Sequence, residues 1–91
     1  MTREEHEHEK DHQLYLAEKG RREAMVRDHL VKRTTLHEPH VHWLWSDRYR
    51  VNVLGPSNAV TESYFMEVTG VEADEPSIMR STPPIKLKRA A

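Results

Sequence analysis

Apolar and polar side chains alternate with a period of two over residues 40–54, and only Asp47 interrupts the apolar series. A period of two predicts β-strand with one buried face. Fifteen residues exceed the usual strand length of about five or six, so a turn is expected at Ser46-Asp47. The apolar series comprises Val41, Trp43, Trp45, Tyr49, Val51 and Val53, whereas His40, His42, Leu44, Arg48, Arg50 and Asn52 have the opposite parity.

The length of this turn decides which side chains share a face. A two-residue loop pairs Trp45 with Arg48 and divides the apolar series between the two faces. A three-residue loop, residues 46–48, pairs Trp45 with Tyr49 and keeps both tryptophans on the core face. We therefore expect the three-residue loop, with one long bent strand as the alternative. In that register Trp43 lies opposite Val51, and Val41 lies opposite Val53.

A second turn and a third strand follow. Residues 55–58, Gly-Pro-Ser-Asn, predict a turn. Residues 60–68 alternate again, and placing Val53 opposite Val60 sets Tyr49 opposite Tyr64 with the apolar faces aligned. A three-stranded meander results, to which Ser77–Arg80 can add a fourth strand.

Residues up to Arg33 predict helix, because they contain no proline and only one glycine. Thr2 and Glu5 have the spacing of a capping box. We expect a kink or a break at Gly20, and a single long helix is the alternative. The apolar cluster of residues 25–31 is the expected cover of the sheet. The predicted fold is α+β, with one or two N-terminal helices packed on a three- to four-stranded antiparallel β-meander.

The chain length of 91 residues fits one domain. Residues 1–13 form a charged segment without a large apolar side chain after Met1, so its order is left open. Residues 14–80 form the expected α+β domain. Residues 81–91 form a basic tail that contains Pro83-Pro84.

Composition narrows the function classes. Fourteen basic residues face fifteen acidic ones, for a net charge of −1, which argues against a dedicated nucleic-acid binder. The absence of cysteine excludes disulfides and thiolate metal sites. The charged N-terminus does not resemble a signal peptide, and no apolar run reaches the roughly 20 residues that span a bilayer. We expect a cytoplasmic protein without membrane contact.

Histidine is over-represented, with seven residues, and it supplies the candidate metal ligands. His40 and His42 share one face of a strand, where two imidazoles can bind one zinc ion, with Glu38, His37 or a residue across the sheet such as Asn52 as a third ligand. The alternative is that these histidines simply decorate the solvent face of the strand. His8 and His12 form a second pair at helical spacing.

Aromatic and basic residues suggest two further surfaces. Trp43 and Trp45 could bind a partner, together with Ile85 and Leu87, whose segment is suited to adding a strand to a sheet edge. The alternative is that both tryptophans belong to the core. A nucleic-acid surface would combine the aromatic strand with basic residues, namely Arg48, Arg50, Lys86, Lys88 and Arg89.

The sequence contains no nucleophile elbow and no glycine-rich phosphate loop, so we expect no enzymatic activity and no required cofactor. The favoured interpretation is a non-enzymatic protein-interaction module that self-associates, because a thin core gains from burial against a second subunit. The alternatives are a small metal-binding protein that uses the His40–His42 pair, and a nucleic-acid-associated or ribosome-associated protein.

Overall fold

The computed structural model describes the backbone of residues 3–88 and the side chains of residues 12–88. One helix packs on a four-stranded antiparallel sheet, which confirms the predicted α+β class. The strands follow one another across the sheet in chain order, so the sheet is the expected meander. The elements are α1 (Arg3–Arg33), β1 (His40–Trp45), β2 (Arg48–Leu54), β3 (Val60–Thr69), the short 3₁₀ helix η1 (Val71–Ala73) and β4 (Ser77–Thr82).

Helix α1 is unbroken, so the expected break at Gly20 is wrong. A single glycine costs about 1 kcal/mol in a helix, and the packing of the C-terminal half of α1 outweighs that cost. Val26 and Leu30 are fully buried there, as expected for the cluster of residues 25–31. The side chains of Thr2 and Glu5, the predicted capping box, lie outside the described part. Most side chains of segment 1–13 lie outside it too, so the order of this segment stays open.

The core lies between α1 and one face of the sheet, which we call the inner face. Its fully buried side chains come from every region of the domain: Val26, Leu30, Tyr49, Val51, Met66, Val68 and Val71. Gly70 precedes η1 with φ of 77°, and a Cβ there would lie 2.2 Å from the carbonyl oxygen of Glu75. Glycine is therefore required where the chain turns to bury Val71.

The register of the sheet differs from the expected one. Val41 lies opposite Val51, and Trp43 lies opposite Tyr49, so the first hairpin is displaced by two residues. The second hairpin is displaced by the same amount, because Val51 rather than Tyr49 lies opposite Tyr64. A displacement of two preserves the faces, so most apolar side chains still share the inner face.

Each pair of neighbouring strands contains a β-bulge, in which two residues oppose one. The extra residues are Leu44 in β1, Thr61 in β3 and Met79 in β4. A bulge shifts the alternation of faces beyond it. The turns are shorter than the alternation pattern requires, and the bulges compensate for the difference. The apolar side chains therefore still form a continuous inner face.

The C-terminal segment returns to the end of α1. Ile85 packs against the core. Leu87 pairs with Thr34 in an isolated antiparallel bridge, and the Lys88 amide donates to the carbonyl oxygen of Arg33 at 2.6 Å. This segment thus satisfies a backbone carbonyl at the helix C-terminus, rather than adding a strand to the sheet edge.

Candidate functional site

The face of the sheet opposite α1, which we call the outer face, carries three rows of side chains across the strands. The strand register defines these rows. The first row runs through Trp45, Arg48, Glu67 and Arg80, the second through His42, Arg50, Phe65 and Thr82, and the third through His40, Asn52 and Ser63. Aromatic and cationic side chains therefore meet in the first two rows.

The bulge at Leu44 places Trp45 on the outer face. The loop has two residues, and Trp45 pairs with Arg48 while Trp43 pairs with Tyr49. The expected three-residue loop is therefore wrong, and so is the expectation that both tryptophans share the core face. One extra residue in β1 lets a two-residue turn coexist with an aligned core. Trp45 is 59% exposed as a result.

Trp45 contacts Phe65 across the intervening strand. The ring centroids are 6.1 Å apart with an interplanar angle of 47°. Strands β1 and β3 are separated by β2, so their axes are about 10 Å apart and both rings must lean over β2. The distance lies within the range of favourable aromatic pairs. The exposed ring of Trp45 and the half-buried ring of Phe65 thus form an aromatic platform above β2.

Three arginines surround this aromatic platform. Arg48 forms an ion pair with Glu67 at 2.6 Å. Arg50 donates to the Ser63 hydroxyl at 3.2 Å, and Ser63 in turn donates to the Asn52 side-chain oxygen at 2.7 Å. Arg80 is exposed in the same row as Glu67. The three rows contain three guanidinium groups and only one carboxylate, so the outer face is locally cationic.

Trp43 belongs to a different environment, under helix α1. Its ring lies 4.7 Å from the Arg22 guanidinium and 5.7 Å from the Tyr15 ring. The Trp43 amide donates to Glu23 at 2.8 Å, and the indole N–H donates to the carbonyl oxygen of Ser46 at 2.8 Å. Both N–H groups of Trp43 thus donate hydrogen bonds within the chain, which is typical of a tryptophan that belongs to the fold.

Arg22 organises the polar cluster between helix and sheet. It is 8% exposed and donates to Glu18 at 2.8 Å, to Glu72 at 2.8 Å and to the Tyr49 hydroxyl at 3.3 Å. Burial opposes the charge of the guanidinium, but these hydrogen bonds outweigh it and raise the pKa of Arg22. Burial raises the pKa of Tyr49, because it disfavours the charged phenolate. The hydrogen bond from Arg22 lowers the pKa of Glu72.

The predicted metal ligands lie around one groove between α1 and the segment that leads into β1. This groove has a volume of about 1190 Å³ and is lined by His37 and Glu38, and it extends to His40 and His42 on the edge strand β1, which the register places in the rows of the outer face. Among residues 12–88, however, no three histidine, aspartate or glutamate side chains come together as a metal site would require. Zinc binding by His40 and His42 stays a prediction. His8 lies outside the residues whose side chains are described.

The structure separates the residues predicted to bind partners or nucleic acid. Arg48 and Arg50 lie on the outer face, whereas the Lys88 side chain donates to the carbonyl oxygen of Val31 at the end of α1. Lys86 and Leu87 are exposed beside the same helix end, and Ile85 is half-buried against the core. Arg89 lies outside the described residues. The tail and the outer face are therefore two distinct surfaces.

Comparisons with known proteins add no assignment. No protein-family model matches the chain. No curated protein and no solved structure matches it either. Within the part of the chain that the structure describes, no helix is long and apolar enough to cross a membrane.

Two members of the outer face were missed in the sequence. Phe65 sits between Tyr64 and Met66, out of phase with the apolar series of β3, and Arg80 belongs to a segment assigned only as a short strand. A large aromatic residue at a polar-phase position is the signal that could have identified Phe65. Nothing in the local sequence indicates that it contacts Trp45, because that contact depends on the bulge.

Proposed function

We propose that this protein is a non-enzymatic binding module whose outer face binds an anionic partner. The observation that carries the proposal is the pair formed by exposed Trp45 and half-buried Phe65, which Arg48, Arg50 and Arg80 surround. Tryptophan and arginine are the side chains that most often dominate binding energy at interfaces. The proposal contains no catalytic step, because an open sheet face cannot exclude water from reacting groups.

The inner face explains why the outer face is available for binding. The helix and the inner face satisfy each other through the buried apolar core and the Arg22 cluster. Trp45 contributes nothing to that core, yet it is held in place by the strand and by Phe65. A rigid, exposed aromatic side chain costs little conformational entropy on binding. This arrangement favours a recognition role over a structural one.

Self-association, the expectation from the sequence, stays a prediction, and the charge of the outer face makes it less favourable there. A two-fold interface places the same patch of two subunits together. The arginine rows of both copies would then lie against each other, and like charges in contact oppose association. The need for a second subunit also falls, because α1 already covers the inner face.

The proposal is tested by chromatography on immobilised heparin, a polyanion. Despite its net charge of −1, the wild-type protein should be retained at low ionic strength. A triple variant of the outer face, R48Q/R50Q/R80Q, should elute at clearly lower salt. The matched control, R27Q/K32Q/K86Q, changes the net charge equally at exposed cations away from the outer face and should elute near the wild type.

Two results would contradict the proposal. The wild-type protein could pass through the column without retention, or both triple variants could lose retention to the same extent. Circular dichroism melts of all three proteins serve as the folding control, because surface substitutions of this type change stability by about 0.5 kcal/mol or less.

A further inference from the structure

We infer, on the basis of the proposed function, that the anionic partner is a single-stranded nucleic acid. Its bases would stack on the Trp45–Phe65 platform, and its phosphates would be held by Arg48, Arg50 and Arg80. The inference thus names one ligand chemistry, a flexible polyanion that carries planar rings at regular intervals.

The aromatic platform favours nucleic acid over other anions. Phosphate, sulfate or a run of acidic side chains gains only from the arginines and makes no use of the exposed indole of Trp45 or of the half-buried phenyl ring beside it. Stacking of a base on an aromatic side chain contributes roughly 1–3 kcal/mol per base. Removal of the ring therefore weakens the affinity for the strand about 5-fold to 150-fold. Two adjacent rings therefore provide the non-electrostatic part of the binding energy.

The position of the arginines favours phosphate contacts beside the stacked bases. Arg48 and Arg50 belong to the strand over which the two rings lean, and Arg80 lies two strands away in the first row. Arg48 is paired with Glu67, whereas neither Arg50 nor Arg80 forms an ion pair among the described residues. A bidentate guanidinium is well matched to phosphate oxygens.

The net charge of −1 is compatible with this inference, because the three rows of the outer face hold three arginines and one carboxylate, whereas the rest of the chain holds eleven basic and fourteen acidic residues. Of the fifteen acidic residues, eight belong to residues 4–28 and three to residues 72–75. These segments are α1 and the region of η1, which lie outside the three rows of the outer face. The net charge of −1 therefore belongs to the chain as a whole, whereas the outer face itself is cationic.

Single strands are favoured over duplexes for a geometric reason. The bases of a duplex are already stacked and paired, so the rings of Trp45 and Phe65 cannot reach their faces without unstacking them, at a cost of a few kcal/mol. The expected ligand is therefore an unpaired strand of DNA or RNA, recognised with little sequence preference.

The experiment is a titration of fluorescein-labelled oligonucleotides with the full-length protein, followed by fluorescence anisotropy. The probes are single strands of thymidylate and of uridylate, each of about 12 nucleotides, which spans the site size of a small domain. The uridylate and thymidylate arms distinguish RNA from DNA. A duplex of the same length and a labelled poly-glutamate peptide are the comparison ligands.

The variants separate stacking from charge. W45A should weaken binding of single strands about tenfold or more, and W45F, which keeps a ring, should restore most of it. R50Q should weaken binding about threefold to tenfold and reduce the slope of log affinity against log salt by about 0.7. R27Q is the matched control and should change neither value, since Arg27 is exposed on α1 and pairs only with its neighbour Asp28 among the described residues.

Three results would overturn the inference. Wild-type protein could fail to bind either single strand at low salt, or poly-glutamate could bind as tightly as the oligonucleotides, or W45A and W45F could both bind like the wild type. If any one of these results is obtained but heparin retention still depends on the outer-face arginines, only the nucleic-acid assignment fails. The proposed anion-binding function then survives. If W45A fails to fold, the ratio of W45F to W45L affinity still measures the contribution of the ring.

Discussion

Trp43 and Trp45 are two residues apart in one strand, yet they belong to opposite faces of the sheet. Trp43 is half-buried, its two N–H groups have acceptors within the chain, and Arg22 lies over its ring. Trp45 is 59% exposed and contacts only the half-buried Phe65 among aromatic residues of the described part. The comparison shows how one strand can place one tryptophan against the helix and expose the other on the opposite face of the sheet.

The largest difference is expected in stability. W43A should destabilise the protein by about 2–3 kcal/mol, less than the roughly 3–5 kcal/mol of a fully buried aromatic residue because Trp43 is half-buried. W45A should cost about 1 kcal/mol, the contribution of the contact with Phe65. Urea unfolding followed by circular dichroism measures both free energies of unfolding. Equal losses in the two variants would mean that both tryptophans belong to the fold.

The next effect concerns the residue that covers Trp43. R22M should destabilise the protein by about 2 kcal/mol, because it removes the cation over the indole and leaves the buried Tyr49 hydroxyl without its donor. R27M at an exposed position of the same helix should change the free energy of unfolding by less than about 0.5 kcal/mol. The same urea unfolding measures both variants. A stability of R22M within this smaller range would show that the Arg22 cluster is dispensable.

A smaller effect is expected from deletion of Leu44, the extra residue of the bulge. In the observed register the deletion converts residues 41–48 into a regular two-residue hairpin, with Trp43 still inside and Trp45 still outside. The free energy of unfolding should fall by about 1 kcal/mol or less, and the exposure of Trp45 to a quencher should not change. Burial of Trp45 in the deletion variant would support the three-residue loop instead.

The features of the fold that depend on the local sequence pattern were predictable, and those that depend on the whole sheet were not. The period-two alternation identified β1, β2 and β3, and the apolar cluster around Val26 and Leu30 identified the cover of the sheet. The register was missed by two residues in both hairpins, because alternation fixes only the face and is blind to shifts of two. Bulges at Leu44, Thr61 and Met79 depend on the whole sheet, and no local pattern announces them.

The candidate site was only partly predictable for the same reason. Arg48 and Arg50 were recognised from their parity, but Trp45 was assigned to the wrong face. Its partner Phe65 is 20 residues away in sequence and two strands away in space. The association of an exposed aromatic pair with three arginines therefore needed the three-dimensional structure.

The smallest expected effect is a pH dependence from His29 on the inner side of the helix. Burial lowers the pKa of His29, and the charges of Arg33 and Lys32 lower it further. The unfolded chain therefore binds a proton at a higher pH than the folded protein does, so stability should fall as the pH decreases below the ordinary histidine value of about 6.5. The loss continues until the pH reaches the lowered pKa of the folded state.

Urea midpoints measured between pH 5 and pH 7 test this dependence. H29Q carries no titrating group at this position and should show a flatter profile than the wild type. A profile that is as steep in H29Q as in the wild type would assign the dependence to another group.

The most direct test of the opposite placement of the two tryptophans is acrylamide quenching of two single-tryptophan variants. W43F reports on Trp45 alone, and W45F reports on Trp43 alone. The structure predicts red-shifted emission and strong quenching for Trp45, and blue-shifted emission with several-fold weaker quenching for Trp43. Saturating single-stranded oligonucleotide should protect Trp45 and leave Trp43 unchanged. Equal quenching of both residues, or stronger quenching of Trp43, would contradict the assignment of Trp45 to the outer face.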